Sequence, residues 1–76
     1  MTYDYKRTGR VIRRLRAERG LSQEVLSGLA GLCRSHLAEI ECGRVSPGVE
    51  TLWKLAGALD MPLSELFRRV EAGDGR

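Results

Sequence analysis

Apolar residues recur along this chain at three- and four-residue spacing, the repeat of one buried helix face. Val11, Ile12 and Leu15 form a first stripe, and Leu26 with Ala30 a second. Leu37 and Ile40 form a third, and Leu52, Leu55, Ala56 and Leu59 a fourth. Leu63, Leu66 and Phe67 close the series. No stretch alternates apolar and polar residues as a half-buried strand does. The pattern predicts five helices with short connections. The first is expected over residues 9–19, capped by Thr8 and stopped by Gly20. The second spans 23–30, with Ser22 as N-cap and Glu24 in its first turn. A third spans 34–42 and ends at Gly43, and residues 45–48 form a loop before a fourth at 49–59. Pro62 suits the first turn of a short fifth helix. The expected organisation is a basic N-terminal arm at 1–8, an all-α domain at 9–69 and a frayed tail at 70–76.

The length, 76 residues, allows one domain and excludes Rossmann folds, barrels and large enzyme clefts. A core this small contributes about 3–5 kcal/mol alone, so a partner, often a second copy, is expected. Hydrophobic residues at 42% and charged residues at 30% fit a globular chain better than a disordered one. No apolar run approaches the roughly 18 residues of a membrane span. No signal-peptide core follows the first residues, so a cytoplasmic location is expected and a membrane partner is not. Two cysteines do not make a disulfide framework.

Charge changes this picture more than composition does. Residues 6–19 hold seven basic side chains against Glu18 alone, whereas residues 20–67 hold three basic against six acidic. A basic stripe is the electrostatic footprint of a polyanion binder, and a solvated helix face is the bland alternative.

The second and third helices narrow the choice. Leu26 and Ala30 point to the core, and Ser27 is small where two helices cross. Gly31 tolerates the positive φ of a sharp turn, Leu32 plugs that turn, and Leu37 and Ile40 anchor the next helix. All seven positions carry suitable residue types at helix-turn-helix spacing.

With these residues the chain resembles the lambda-repressor-like, or xenobiotic-response-element type, helix-turn-helix family. The likeness runs from about residue 9 to 67. It rests on Leu21-Ser22-Gln23-Glu24, Ala30-Gly31, Arg34-Ser35-His36-Leu37, Glu39-Ile40-Glu41, Gly43-Arg44, Glu50-Thr51-Leu52 and Ser64-Glu65-Leu66-Phe67. The resemblance implies a compact five-helix domain that binds double-stranded DNA, usually as a homodimer on a palindromic operator. It places the third helix in the major groove, with Arg34, Ser35 and Glu39 facing base edges, and Ala38, one turn on, is positioned to touch a thymine methyl. The chemistry agrees, because an arginine can donate two hydrogen bonds to guanine. Glu39 can accept from cytosine N4, yet as a carboxylate it also repels phosphate. The resemblance implies phosphate contacts for Gln23, His36 and Arg44, with Lys6, Arg7 and Arg10 as further basic candidates. Such contacts set register rather than sequence. It also implies a structural ion pair between Arg16 and Glu41.

Other features point elsewhere. Cys33 stands where the family usually has a capping Ser or Thr, and a thiol at a helix N-terminus is a candidate redox group. Cys33 and Cys42 lie roughly 13 Å apart along a helix, too far for an internal disulfide. Cys33 and His36 supply only two ligands, so no metal and no cofactor are expected. Ser35 and His36 are consecutive and point apart on a helix, and no other catalytic group is evident, so no enzyme activity is expected. Trp53, beside the core stripe with Gly57 leaving a notch one turn on, either anchors a dimer or finishes the core. The resemblance adds Met61, Leu63 and Phe67 to the candidate dimer face. A short chain of this type resembles restriction–modification controllers, with antitoxins of the same fold as the alternative. RNA polymerase or a toxin is the corresponding protein partner.

Overall fold

The computed structural model describes residues 3–73. The elements are α1 (Tyr5–Glu18), α2 (Gln23–Ala30), α3 (Arg34–Glu41), α4 (Val49–Ala58) and α5 (Leu63–Glu71), with no strand among the described residues. α1 packs on α3 and α5, α2 packs on α3 and α4, and α4 packs on α5. Every helix sends its apolar stripe to one core, centred on Ile12, Leu26, Leu37, Ile40, Leu55, Leu59 and Leu66, all fully buried.

α1 starts a turn earlier than its apolar stripe suggests. Asp4 is its N-cap, accepting hydrogen bonds from the backbone N–H groups of Lys6 (3.0 Å) and Arg7 (3.1 Å). Aspartate is a stronger cap than threonine. Thr8 is therefore not the cap but a fully buried residue inside the helix, its hydroxyl donating to the Asp4 carbonyl (3.4 Å). Residues 5–8 form the first turn of α1 rather than an arm. At the other end α5 runs to Glu71, and Val70, assigned to a frayed tail by sequence, is buried at 6% exposure.

Four of the helices close in the same way. A residue in the left-handed region follows the helix, and its backbone N–H and the next one bond back to helix carbonyls. The left-handed residue is Gly20, Gly31, Gly43 and Asp60 in turn. After α2, Gly31 donates to Gly28 (3.2 Å) and Leu32 to Ser27 (2.8 Å). After α3, Gly43 donates to Ile40 (3.1 Å) and Arg44 to Glu39 (3.0 Å). The residue that follows the left-handed one is Leu21, Leu32 and Met61 at three of these ends, each partly buried against the core. At α3 it is the exposed Arg44.

Candidate nucleic-acid interface

The α2–turn–α3 unit is held from below and open above. Leu37 and Ile40 are fully buried and fix α3 to the core. Arg34, Ser35 and His36 stand exposed in its first turn, and Ala38 and Glu39 follow half-buried. Arg34, Ala38 and the neighbouring Ser35 and Glu39 recur at helical spacing on one face. Cys33 is the N-cap residue and makes no side-chain capping bond, so the first turn of α3 leaves backbone donors free for another acceptor.

A buried ion pair sets the position of this unit. The Arg16 guanidinium straddles the Glu41 carboxylate, with Nε to Oε2 at 2.8 Å and Nη2 to Oε1 at 3.0 Å. Nη1 donates to the Leu21 carbonyl at 2.8 Å. Glu41 is only 5% exposed. Its hydrogen bonds push the Arg16 pKa up from an already high ordinary value, while desolvation acts the other way. Gln23, first residue of α2, donates Nε2 to Glu41 Oε1 at 3.0 Å. One carboxylate therefore ties α1, the start of α2 and the end of α3 together. The hydrogen bond from Gln23 to Glu41 was not evident from the sequence. The i, i+18 separation gave no local signal, and Gln23 fitted a phosphate contact. Its amide keeps a second N–H free for that purpose.

The remaining sequence-assigned residues divide. Arg44 lies beside Glu39, Nη1 to Oε1 at 3.8 Å. Lys6 and Arg10 are exposed on α1, and the Lys6 stem reaches the Gly43 turn, where a β-carbon would meet its Cγ at 3.0 Å. Lys6 thus sits next to the end of α3. Arg7 departs from the phosphate-contact expectation. It is half-buried, points to the end of α5 with Nη1 3.5 Å from the Val70 carbonyl, and has its Nε enclosed. Its position follows from the early start of α1, which turns this residue toward α5. Cys33 and Cys42 are free and exposed. Among the described residues no three of His, Cys, Asp or Glu gather into a group that could hold a metal ion.

Trp53, on α4, is 68% exposed and does not finish the core. It borders a hollow of about 300 Å³ lined also by Gly57, Met61, Pro62, Leu63 and Ser64. Phe67 is not part of this lining. It packs against the core and meets Tyr3 edge-on, ring centres 6.4 Å apart.

The family model described as helix-turn-helix, HTH_3, matches residues 12–66. The chain belongs to this helix-turn-helix family. It is 38% identical over 66 residues to the HTH-type transcriptional regulator PuuR of Escherichia coli (strain K12), covering 87% of this chain and 36% of PuuR. The chain thus spans about a third of the length of that relative. Among solved structures, the restriction-modification controller protein C.AhdI from Aeromonas hydrophila is 42% identical, with a TM-score of 0.81 over 84% of this chain and 97% of C.AhdI. The restriction-modification controller C.Esp1396I, solved as a tetramer in complex with its natural 35 base-pair operator, shares the fold. It has a TM-score of 0.87 at 20% identity, over 96% of each chain.

Proposed function

We propose that the chain is a transcriptional regulator that binds double-stranded DNA sequence-specifically as a homodimer on a palindromic operator. One observation carries the reading: Arg34 and Ser35 stand exposed on a helix whose opposite face is fixed by Leu37 and Ile40 and whose end is locked by Arg16 and Glu41. A helix held this rigidly presents its first turn in one orientation, which base readout in the major groove needs. In this reading Arg34, Ser35, Ala38 and Glu39 face bases, while Gln23, His36, Arg44, Lys6 and Arg10 serve phosphates. The family membership and the likeness to PuuR and C.AhdI support it. C.AhdI, matched over nearly its whole length, makes control of a restriction–modification system the favoured setting.

The dimer face in this reading is the Trp53 hollow, with Met61 and Leu63. An exposed tryptophan beside a shallow apolar hollow is a self-complementary arrangement for a two-fold axis. The axis would set two α3 helices about 34 Å apart, one turn of DNA. No enzyme activity is part of this proposal. No helix among the described residues is long and apolar enough to cross a membrane, and the proposed site of action is the chromosome in the cytoplasm.

Binding to random-sequence duplex across a salt series tests the DNA reading. A dimer making about eight phosphate contacts gives a slope of log K against log salt near −7. A flat response contradicts it and points to a protein partner, such as a toxin or RNA polymerase.

A further inference from the structure

A carboxylate at a reading face needs an explanation, because it approaches a polyanion. Glu39 lies on the α3 face that carries Arg34 and Ser35, and its side chain is 43% exposed. The structure places one counter-charge on it. Arg44 Nη1 lies 3.8 Å from Glu39 Oε1, and the Arg44 backbone N–H donates to the Glu39 carbonyl at 3.0 Å. The second contact fixes the first. Gly43 turns the chain into the left-handed region at φ +73, and that turn brings residue 44 back over residue 39. At three other helix ends the residue in this position is Leu21, Leu32 or Met61, which packs inward. At the end of α3 it is an arginine, exposed and turned to a carboxylate. An exposed pair of this kind adds little to folding, so its consequence lies at the surface it occupies.

We propose that Glu39 and Arg44 act as one unit at the DNA face. Arg44 is a positioning residue that neutralises the Glu39 carboxylate until a backbone phosphate takes over the guanidinium. Glu39, released, then accepts a hydrogen bond from a cytosine N4 amine. The pair thus lets a carboxylate serve base readout without a standing repulsion. This inference rests on the DNA-binding reading above. A neutral residue at position 39 would not need the arginine, and that difference is measurable.

The test is a double-mutant cycle of Glu39→Gln and Arg44→Gln, with Arg44→Lys alongside. Binding is measured on a duplex recovered from a random library with the wild-type chain, on that duplex with single base-pair changes, and on a scrambled duplex. Circular dichroism confirms folding, which neither exposed side chain supports. Arg44→Gln is expected to weaken binding to both duplexes more in the wild-type background than in the Glu39→Gln background, by a coupling of about five-fold or more. Arg44→Lys should restore most of the loss. Glu39→Gln should strengthen binding to the scrambled duplex and flatten a preference for C·G of about ten-fold at one position per half-site. Equal effects of Arg44→Gln in both backgrounds, or an unchanged base preference in Glu39→Gln, overturn the pairing while leaving DNA binding intact. Failure of the wild-type chain to recover any duplex overturns the DNA reading, and this inference with it.

Discussion

Gly9 lies so close to the backbone of Ile40 that a β-carbon on it would sit 2.1 Å from the Ile40 carbonyl oxygen. α1 and α3 therefore touch backbone to backbone at this point. The neighbouring Ile40 and Glu41 carry the fixed end of the candidate reading helix, so the contact sets where that helix sits.

Gly9→Ala tests the contact directly. Alanine is the better helix former by about 1 kcal/mol, which favours the substitution in isolation. The clash meets backbone and cannot be relieved by a side-chain rotation. Overpacking of this kind costs about 1–3 kcal/mol or more. The expected outcome is a net loss of stability with a lower thermal midpoint. A midpoint at or above that of the wild type would show that the helices separate freely.

The Arg16–Glu41 pair gives a second prediction. Arg16→Met leaves the Glu41 carboxylate buried, with only Gln23 bonded to it. Removing one member of a buried pair costs about 3–5 kcal/mol, a large share of the stability of a small domain. The double variant Arg16→Met/Glu41→Leu should recover much of that loss, as measured by urea denaturation. Equal stability of the single and double variants would contradict the buried-charge explanation.

A loss of stability in acid is expected to trace in part to Glu65. The hydrogen bonds it accepts from Arg68 come first and that from Arg69 Nε adds to them, with distances of 2.6–3.0 Å. They lower its pKa from 4.5 to about 2. A carboxylate with a lowered folded-state pKa favours folding above its unfolded value, and the contribution fades as pH falls toward the folded one. Glu65→Gln should therefore reduce stability at neutral pH and show a shallower loss between pH 4.5 and 2. Parallel pH profiles for the two proteins would refute the assignment.

Trp53 separates self-association from folding. Its side chain lies mostly in solvent, so Trp53→Ser should change the stability of a dilute monomer by less than about 1 kcal/mol. In the proposed dimer the same substitution removes an aromatic anchor, and a loss of about 2 kcal/mol or more corresponds to a roughly thirty-fold weaker dimer. Sedimentation across a concentration series distinguishes the two. A dimer unaffected by the substitution would move the interface away from this hollow.

The sequence made α2 and α3 legible because strong local signals bound them. Ser22 caps α2, its hydroxyl oxygen accepting from the Val25 N–H at 3.1 Å, and Gly31 ends it in the left-handed region. The start of α1 was less legible, since its first turn of Tyr5, Lys6 and Arg7 supplies no residue to the buried core. Gly9 looked like a boundary, yet it is small because the Ile40 backbone of α3 packs against it. Val70 in fact continues the stripe, four residues after Leu66 and three after Phe67, and it was hidden only by the polar, glycine-rich residues that follow it. In the candidate site, individual residues could be read but their partnerships could not. Glu39 with Arg44, and Gln23 with Glu41, are joined by a turn and by a helix crossing that leave no periodic trace.

Selection from a random duplex library, with the wild-type chain and Arg34→Ala in parallel, decides whether α3 reads DNA. The wild type should enrich a two-fold symmetric site with half-sites one helical turn apart, and Arg34→Ala should lose or relax a guanine in each half. That substitution removes about 1–3 kcal/mol of discrimination at one base pair. No enrichment at low salt from folded protein, or an identical site recovered by both chains, would contradict the assignment of Arg34 and α3 to base readout.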